Sequence, residues 1–400
     1  MSLDVLIVGG GPHGVHIAAR LVGEGVCAPS RMRIVDPGDR LLALWLERTA
    51  TTGMRFLRSP AVHHLDLHPW SLQRFAGARS RRGPGLFTAP YDRPATSLFN
   101  AHCEEVIASY GLGELHLQDR VEAVHAADGA VRLTLRGGDE LVTRDVVLAL
   151  GSGHAFSWPA WAPRGCQRVR HVFAPNFDGW PTQPDEQIAV VGGGITAAQV
   201  AIRLGAEGHR VALLSRHPVR EHQFDSEPGW LGPKNMAAYE TIRDPEERRR
   251  EIRQARYRGS MPSDVHRSLR EACAAGAVVV HSEPVESLLE EPEGRLTLGL
   301  SGGSELAVER VLLATGVTSE RPGGALVAGL IERSALPVAP CGYPLVNSDL
   351  RWGSGVYVAG ALAELELGPV ARNIAGARRA AERIAGALAR SKVAALRSAS

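Results

Sequence analysis

Short aliphatic runs alternate with helical periodicity along much of the chain. Residues 3–8 form an apolar run that ends in three glycines, and apolar positions from 15 to 21 then repeat with the spacing of one helix face. A second apolar run, 32–35, follows and ends at Asp36. This strand–helix–strand order predicts a βαβ unit of about 30 residues with two parallel strands.

The same order recurs in the middle of the chain, at 188–191, 195–207 and 210–214. Two such units predict an α/β fold with two Rossmann-like dinucleotide-binding domains. Because later strand candidates return to the first unit, we expect the second domain to be inserted in the first. The expected division is 1–165 for the first part of the first domain, 166–318 for the inserted domain, and 319–400 for the return segment and C-terminal helix.

The pattern around these units is less regular. The stretch from 41 to 94 is rich in Pro, Gly, His and aromatic residues and predicts a functional loop without regular structure. A helix is predicted at 97–110, and alternating segments between 115 and 150 predict a small antiparallel addition to the first sheet. A long helix is predicted from about Pro369. Its apolar stripe is Val370, Ile374, Ala377, Ala381, Ile384 and Leu388.

The composition argues against nucleic-acid binding, membrane spanning and zinc binding. The formal net charge is +2 over 400 residues, without the concentrated basic face that nucleic-acid binding requires. No apolar stretch approaches the roughly 20 residues that span a bilayer. The scattered cysteines form no CxxC and no zinc spacing, which is typical of reduced thiols in the cytosol. We therefore expect a cytoplasmic protein without nucleic-acid or membrane partners, and the sequence leaves a homo-oligomer open.

The first glycine loop, Gly9-Gly10-Gly11-Pro12-His13-Gly14, fits the G-x-G-x-x-G pattern between a strand and a helix. Gly9, Gly11 and Gly14 permit a tight turn, a close approach of the backbone to a pyrophosphate, and close packing of the helix on the strand. The helix N-terminus supplies free N–H groups for the phosphates. Asp36, 22 residues after Gly14, can accept hydrogen bonds from ribose hydroxyls. Ordinary turns also use glycine, but the strand, helix and acid together favour a nucleotide site.

Two later segments favour FAD at this loop. One apolar strand ends at Gly151 and another ends at Gly360, and both would return beside the first site. A helix that begins near Pro369 would direct its N-terminus to the pyrimidine edge of a flavin, where it stabilises negative charge. A plain core helix is the alternative interpretation of that segment.

The second glycine loop, residues 192–197, fits G-x-G-x-x-A after a strand. The residues expected to contact its nucleotide are Gly192, Gly194, Ile195 and Thr196. The next strand ends in Ser215 and Arg216, without an acid. Because an arginine can bind a 2′-phosphate that a carboxylate would repel, the sequence predicts NADPH. Arg220 is a second candidate for that phosphate, and a solvated surface position is the alternative for Arg216.

Besides the first glycine loop, five segments carry a resemblance to a known family: Trp45 with Gly53–Leu57, Tyr91–Phe99, Gly165–His171, Gly192–Gln199 and Ala314-Thr315-Gly316. With them the chain resembles the two-dinucleotide-binding-domain flavoproteins, and within these the class B flavin monooxygenases of the ornithine/lysine N-hydroxylase branch. The absence of a redox-cysteine pair separates it from the disulfide reductases of that group. The resemblance implies that Trp45 and Gly316 also line the cofactor sites.

The resemblance further implies an enzyme that uses FAD, NADPH and O2. It would oxygenate a nucleophilic nitrogen or sulfur of a small molecule through a C4a-hydroperoxyflavin, and the cofactor would carry the chemistry. Met54, Arg55 and His171 are the candidate catalytic residues, with Phe56 beside them. Arg55 can hold a substrate carboxylate or form a structural ion pair.

Two other functions stay open. An NADPH-dependent flavin dehydrogenase or oxidase would reduce FAD without inserting oxygen into a substrate. A flavin-binding accessory or redox-sensing protein would bind the cofactor without turnover.

Two segments differ from the N-hydroxylase branch. Arg55 stands where that branch has Gln after Met, and residues 257–262 stand where it has an Asn-Tyr segment that helps to hold the substrate. The substrate is therefore left open among amines, amino acids and thiols. His64, Asp66 and His68 would share one face of a strand, but nothing nearby completes a metal site, so we expect no metal.

Overall fold

The computed structural model describes residues 3–79, 85–127, 129–151, 155–175, 177–292 and 294–399. The strands are β1 (Leu3–Val8), β2 (Met32–Asp36), β3 (Phe87–Thr88), β4 (Arg93–Pro94), β5 (His116–Gln118), β6 (Val121–Ala127), β7 (Ala130–Leu135), β8 (Glu140–Leu148), β9 (Val169–His171), β10 (Gln187–Val191), β11 (Arg210–Leu214), β12 (Arg220–Glu221), β13 (Ser260–Met261), β14 (Val278–His281), β15 (Val285–Glu290), β16 (Leu296–Leu300), β17 (Glu305–Val308), β18 (Arg310–Leu313), β19 (Arg351–Gly353) and β20 (Val356–Val358). The α-helices are α1 (Pro12–Gly23), α2 (Ala43–Thr52), α3 (Ser71–Arg79), α4 (Thr96–Ser109), α5 (Ile195–Ala206), α6 (Pro233–Thr241), α7 (Pro245–Ala255), α8 (Ser263–Ala274), α9 (Gly324–Ser334), α10 (Glu364–Leu367) and α11 (Ile374–Ala399). Short 3₁₀ helices cover Pro29–Arg31, Leu112–Leu115, Pro228–Leu231, Gly360–Ala363 and Gly368–Arg372.

The first sheet has the strand order β19–β20–β8–β1–β2–β5. β1 lies between β2 and β8 and is parallel to both, and β20 is parallel to β8. Parallel neighbouring strands need a crossover connection, and α1 is the crossover helix between β1 and β2. This arrangement confirms the first predicted βαβ unit.

The antiparallel addition to this sheet is also confirmed. β6 and β7 form a hairpin, and β7 pairs with the first half of β8, where Val131 lies opposite Thr143. The second half of β8 pairs with β1, where Leu148 lies opposite Val8. β8 therefore carries the chain from the hairpin back to the centre of the parallel sheet.

The second sheet has the order β14–β11–β10–β18–β9, and each of its pairs is parallel. Its central residues, such as Ile188 and Leu312, are fully buried. α5 links β10 to β11, which confirms the second predicted βαβ unit. A separate antiparallel sheet, β15–β16–β17, lies between β14 and β18 in the chain.

The stretch from 41 to 94 is more regular than the sequence predicts. It contains α2, α3 and the strand pair β3–β4, so the expectation of an irregular loop was wrong. α2 ends because Gly53 adopts a left-handed φ of 64° and donates its N–H to Ala50 O at 3.0 Å. The helix is short and rich in Thr, which has a low helix propensity, and this weakens its signal in the sequence.

The late helix begins at Ile374, after the expected start near Pro369. Pro369 opens the 3₁₀ helix instead, and Asn373 is extended with φ −93° and ψ 169°, which separates the two elements. The predicted start was therefore wrong, whereas the predicted apolar stripe is buried along its length. Ile374, Ala381, Ile384 and Leu388 of the stripe belong to the same core as α1, and burying each Ile or Leu side chain contributes about 1.5–3 kcal/mol.

α6 and α7 pack against the return segment. The Tyr239 hydroxyl donates to Leu365 O at 2.9 Å, and Ile252 shares an apolar cluster with Val370. Helices from the expected inserted domain thus contact residues beyond 319. The division of the chain into domains stays a prediction.

The five cysteines all lie within the described chain, and all are unpaired. Burial raises the pKa of the Cys27 thiol to about 11 and also raises the pKa of Cys103, so both thiols are protonated at neutral pH. No helix in the described part of the chain combines the length and apolarity needed to cross a membrane.

Candidate functional site

The first glycine loop takes a path that only glycine permits at two positions. Gly9 donates its N–H to Val35 O at 2.9 Å and has a φ of 113°. A Cβ at Gly9 would collide with the carbonyl oxygen of Ala149, and one at Gly14 would collide with the carbonyl oxygen of Gly9. The loop therefore passes close to the end of β8 and folds back tightly onto α1.

Gly11, unlike Gly9 and Gly14, is not packed against other protein atoms. A Cβ built on Gly11 has no atom within 4 Å, and Pro12 follows as the first residue of α1. The free N–H groups of the first turn and the positive end of the helix dipole lie at this point. An anionic group can therefore approach the backbone at Gly11 without displacing protein atoms.

The Asp36 carboxylate is held in place at the end of β2. Its oxygens accept hydrogen bonds from Gly10 N at 2.7 Å and from Gly38 N at 2.8 Å. Each carboxylate oxygen has a second lone pair, so Asp36 can still accept hydrogen bonds from hydroxyl groups. The residue both fixes the glycine loop and presents negative charge beside it.

The second glycine loop repeats the geometry of the first. Gly192 donates to Leu214 O at 2.9 Å, as Gly9 does to Val35. A Cβ at Gly192 would collide with the carbonyl oxygen of Ala314, which takes the place of Ala149. Gly194 precedes α5, and Ile195 and Thr196 form the half-buried start of that helix.

The two sites differ at the end of the second strand. The strand registers pair Val8 with Val35 and Val191 with Leu214, so Ser215 takes the position of Asp36. The Ser215 hydroxyl donates to His217 O at 2.7 Å, and Arg216 next to it is exposed. The second site therefore offers a cation where the first offers an anion.

His217 and Gly259 form a wall of the second site that the sequence did not predict. A Cβ at Gly259 would lie 2.7 Å from His217 Nε2, and one at Gly194 would lie 3.5 Å from the α-carbon of Gly259. Gly259 therefore lies directly over the second loop. Positions 194 and 259 are far apart in the chain, so no local sequence pattern predicts their contact. The glycine at 259 is the one sequence feature that is consistent with it.

Gly151, Gly316 and Gly360 follow the carboxyl ends of β8, β18 and β20. A Cβ at Gly360 would lie 3.6 Å from the ring of His13, so this glycine adjoins the first loop as predicted. Burial lowers the pKa of His13 to about 4, which keeps its ring neutral at pH 7. Gly316 O instead accepts from Ser157 N at 2.9 Å, where the two segments crossing between the sheets run side by side.

Pro369 is buried in the turn before α11, and its carbonyl oxygen accepts from Arg256 Nη1 at 3.0 Å. Trp45 lies in α2, and its indole N–H donates to Asn100 Oδ1 at 2.9 Å while its ring contacts Phe99. Both residues are held by contacts within the protein, and their expected roles in cofactor binding stay predictions.

Met54, Arg55 and Phe56 follow directly after α2. Met54 donates its N–H to Thr49 O at 3.1 Å, and Arg55 O accepts from Thr96 N at 2.9 Å. The Arg55 side chain is exposed, and its Cζ lies 5.9 Å from the centre of the Phe56 ring. The expected contact of Arg55 with a substrate carboxylate stays a prediction.

His171 lies in the packed core. It is fully buried, stacks on Phe156 with 4.6 Å between ring centres, and accepts from Phe173 N at 3.2 Å through Nδ1. Burial lowers its pKa to about 4. Arg48 of α2 lies against the same aromatic cluster, with its Cζ 5.0 Å from the centre of the Phe173 ring. The catalytic role expected for His171 stays a prediction.

A small cleft that the sequence did not predict lies between segments 58–63, 224–231 and 370–375. Arg58 on its wall donates to Asp225 Oδ1 at 2.6 Å, to Ser260 Oγ at 2.9 Å and to the carbonyl oxygens of residues 222, 223 and 224. The cleft adjoins the turn before α11. Its three walls are far apart in sequence, so only the fold reveals it.

The His64–Asp66–His68 stretch does not form a strand. His64 Nε2 lies 3.0 Å from Pro69 O, and Asp66 accepts from the Tyr110 hydroxyl at 2.8 Å. These polar atoms are used within the protein, and no group of possible metal ligands occurs among the described residues.

Residues 6–153 match a family model described as FAD-NAD(P)-binding. No curated protein matches the sequence. The matched part contains the first glycine loop, β2 and the whole of β8, so this match coincides with the first nucleotide unit.

Several solved structures share the fold over nearly the whole chain. Ornithine N-hydroxylase from Kutzneria sp. 744, with reduced FAD, NADP⁺ and L-ornithine, has a TM-score of 0.77 at 16% identity and covers 98% of this chain and 100% of its own. The FAD-bound cadaverine monooxygenase of desferrioxamine biosynthesis from Erwinia amylovora has a TM-score of 0.74 at 17% identity, covering 96% and 95%. The reduced ornithine hydroxylase from Pseudomonas aeruginosa has a TM-score of 0.72 at 19% identity, covering 98% and 99%.

These likenesses confirm the predicted fold class, a mixed α/β architecture with Rossmann-like parallel sheets. They also confirm, at the level of the fold, the resemblance to the ornithine/lysine N-hydroxylase branch.

Proposed function

We propose that the protein is an FAD-containing, NADPH-dependent monooxygenase that adds one oxygen atom to a nucleophilic nitrogen of a small amine. The observation that carries the proposal is the pair of glycine loops with the same backbone path and opposite charges beside them. Three solved structures of the same fold are named as N-hydroxylating or amine monooxygenases, and two of them hold FAD.

The first loop fits FAD. Gly11 leaves an open approach to the backbone at the start of α1, where a pyrophosphate gains from the free N–H groups. Asp36 would bind the ribose of the adenosine part, since its carboxylate lies beside the loop and keeps acceptor capacity. Gly151, Gly360, Pro369, Gly316 and Trp45 would line the rest of the cofactor sites.

The second loop fits NADPH. Gly192, Gly194, Ile195 and Thr196 would hold its pyrophosphate at the start of α5. Arg216 would bind the 2′-phosphate, since Ser215 at the strand end does not repel an anion as a carboxylate would. NADH lacks that phosphate and would gain nothing from Arg216.

Bound FAD would supply the redox chemistry, which is hydride acceptance from NADPH and activation of O2. In the overall reaction, one amine N–H, O2, NADPH and a proton would give one N–OH, water and NADP⁺. The residues of the chain hold the two nucleotides at a fixed separation and keep bulk water from the reaction centre. Met54, Arg55 and Phe56, next to the end of α2, would shape the substrate side of the site.

An amine substrate is supported by the neighbours, two of which are named for ornithine and one for cadaverine. The exposed Arg55 would bind a substrate carboxylate where one is present. His171 would act only through packing, because it is fully buried.

Oxygen transfer is tested by mass spectrometry after turnover with NADPH and ¹⁸O2 over a panel of diamines, basic amino acids and thiols. We expect an N-hydroxylated product that carries one ¹⁸O atom, with NADPH consumption in proportion. Stoichiometric peroxide and no labelled product over the whole panel would overturn monooxygenation and favour a dehydrogenase or oxidase.

A further inference from the structure

An arginine of α5 reaches the end of α2. Arg203 Nη1 donates to the carbonyl oxygens of Ala50, at 3.2 Å, and Thr51, at 2.9 Å. These carbonyls belong to the last turn of α2, where helix carbonyls lack a partner within the helix, and Ala50 O also accepts from Gly53 N at 3.0 Å. A cation at this position also interacts favourably with the negative end of the helix dipole.

The guanidinium of Arg203 is fixed on its other sides. Its Nε donates to Glu207 Oε1 at 2.8 Å, and its Cζ lies 4.3 Å from the centre of the Trp180 ring. The side-chain stem passes along Gly53, where a Cβ would come within 3.4 Å of Arg203 Cδ. Three different elements thus hold one side chain in a single position.

The two helices joined by Arg203 lead to the two halves of the proposed site. α5 begins at Ile195, directly after the second glycine loop. α2 ends at Thr52, and Met54–Phe56 follow at once. The position of α5 against α2 therefore fixes the second loop relative to the segment expected beside the flavin.

We infer that Arg203 is a positioning residue that sets the separation of the two nucleotides for hydride transfer. The inference rests on the proposed function. Hydride transfer needs the reacting atoms within about 3–3.5 Å, and a displacement of about 1 Å costs on the order of a hundredfold in rate. Arg203 contacts neither glycine loop, so it acts through α2 and α5.

Two other side-chain contacts between the part of the chain with the first glycine loop and the part with the second remain when Arg203 is changed. Arg58 binds the 222–225 segment, and the buried Arg93 forms an ion pair with Asp264 of α8 at 3.0 Å. Loss of Arg203 should therefore shift α5 slightly without separating the two halves.

The test is the rate of flavin reduction by NADPH, measured by anaerobic rapid mixing. For Arg203→Met we expect FAD content and the Kd for NADPH within about twofold of wild type, and a reduction rate constant lower by about tenfold or more. Arg203→Lys should recover part of the rate, because an ammonium can still donate to the α2 carbonyls. Arg132→Met is the matched control, since Arg132 of β7 also pairs with a surface carboxylate, that of Glu140 at 2.8 Å, but does not contact α2 or α5, and it should behave as wild type.

A reduction rate of Arg203→Met within twofold of wild type would overturn the inference, even if the variant unfolds at a lower temperature. If Arg203→Met does not fold, Arg203→Gln decides, because its shorter, neutral side chain does not reach Ala50 O and Thr51 O: a reduction rate within twofold of wild type would also overturn the inference. Failure of the wild-type flavin to be reduced by NADPH is a separate result, which would overturn the proposed function and this inference with it.

Discussion

The two glycine loops have the same backbone geometry and different chemistry beside it. Gly9 and Gly192 each donate to the second strand of their unit and each pass against an alanine carbonyl oxygen, that of Ala149 or Ala314. The first loop is bound to a carboxylate at the strand end, whereas the second has a serine followed by an exposed arginine. The path of the loop is set by steric limits, and we propose that the choice of nucleotide is set by Asp36 at the first site and by Arg216 at the second.

The surroundings of the loops differ as well. The first loop meets His13, Gly360 and the turn before α11, all from the first and last parts of the chain. The second loop is covered by Gly259 and His217. Each site is therefore completed by residues that lie far from its glycine motif.

The largest expected effect comes from a matched pair of substitutions at equivalent glycines. Gly9→Ala should abolish FAD retention, because the new Cβ collides with Ala149 O. Gly192→Ala creates the same collision with Ala314 O and should leave FAD bound while abolishing its reduction by NADPH. Flavin absorbance of the purified variants and anaerobic NADPH titration measure both results.

Gly113→Ala is the control, since a Cβ there has open space. Equal loss of FAD in Gly9→Ala and Gly192→Ala would show that the two loops do not serve separate nucleotides.

Low pH should destabilise the part of the chain that contains the first glycine loop more than the part that forms the second sheet. Burial lowers the pKa of His13, His63 and His102 to about 4 and that of His16 to about 3, and all four lie in the first part of the chain, whereas His171 belongs to the second sheet. The unfolded chain takes up protons below pH 6.5 and the folded state does not until about pH 4. Stability is therefore full above pH 6.5 and falls as the pH drops through this window, by about 1.4 kcal/mol per histidine and pH unit.

Denaturant unfolding at pH 7, 6 and 5, with hydrogen exchange to locate the change, measures this effect. We expect α1 and α4 to lose protection before β10 and β11. Stability that stays constant from pH 7 to pH 5 would contradict neutral buried histidines.

A substitution at Gly11 should lower the affinity for FAD without changing the stability of the loop. Gly11→Ala adds a Cβ that meets no protein atom, so the apoprotein should unfold at the same denaturant concentration as wild type. FAD affinity should fall about tenfold or more, because the methyl group occupies the approach to the backbone. Unchanged FAD affinity would show that the phosphates do not approach this position.

The smallest effect concerns the choice between NADPH and NADH. Arg216→Ala should reduce the preference for NADPH by about tenfold, since one charge-assisted contact to the 2′-phosphate is lost. Arg267→Ala, an exposed arginine of α8, is the control and should leave the preference unchanged. The ratio of kcat/KM for the two nucleotides measures it.

The sequence predicted what local patterns encode. Both βαβ units, the antiparallel addition and the buried stripe of α11 follow from periodicity, and both loops follow from glycine spacing. It missed α2 and α3, which are only 10 and 9 residues long and lie between Pro- and Gly-rich segments, and it placed the start of α11 too early because Pro369 lies in a 3₁₀ helix before it. The covering of the second loop by Gly259 and the contacts of Arg58 and Arg203 depend on segments distant in the chain, so no local pattern marks them.

Anaerobic titration of the purified, FAD-loaded protein with NADPH and with NADH tests the central claim most directly. Two separate nucleotide sites with Arg216 at the second predict that about one equivalent of NADPH bleaches the flavin, and that NADH does so at least about tenfold less efficiently. Equal reduction by both nucleotides, or no reduction by NADPH, would contradict the account.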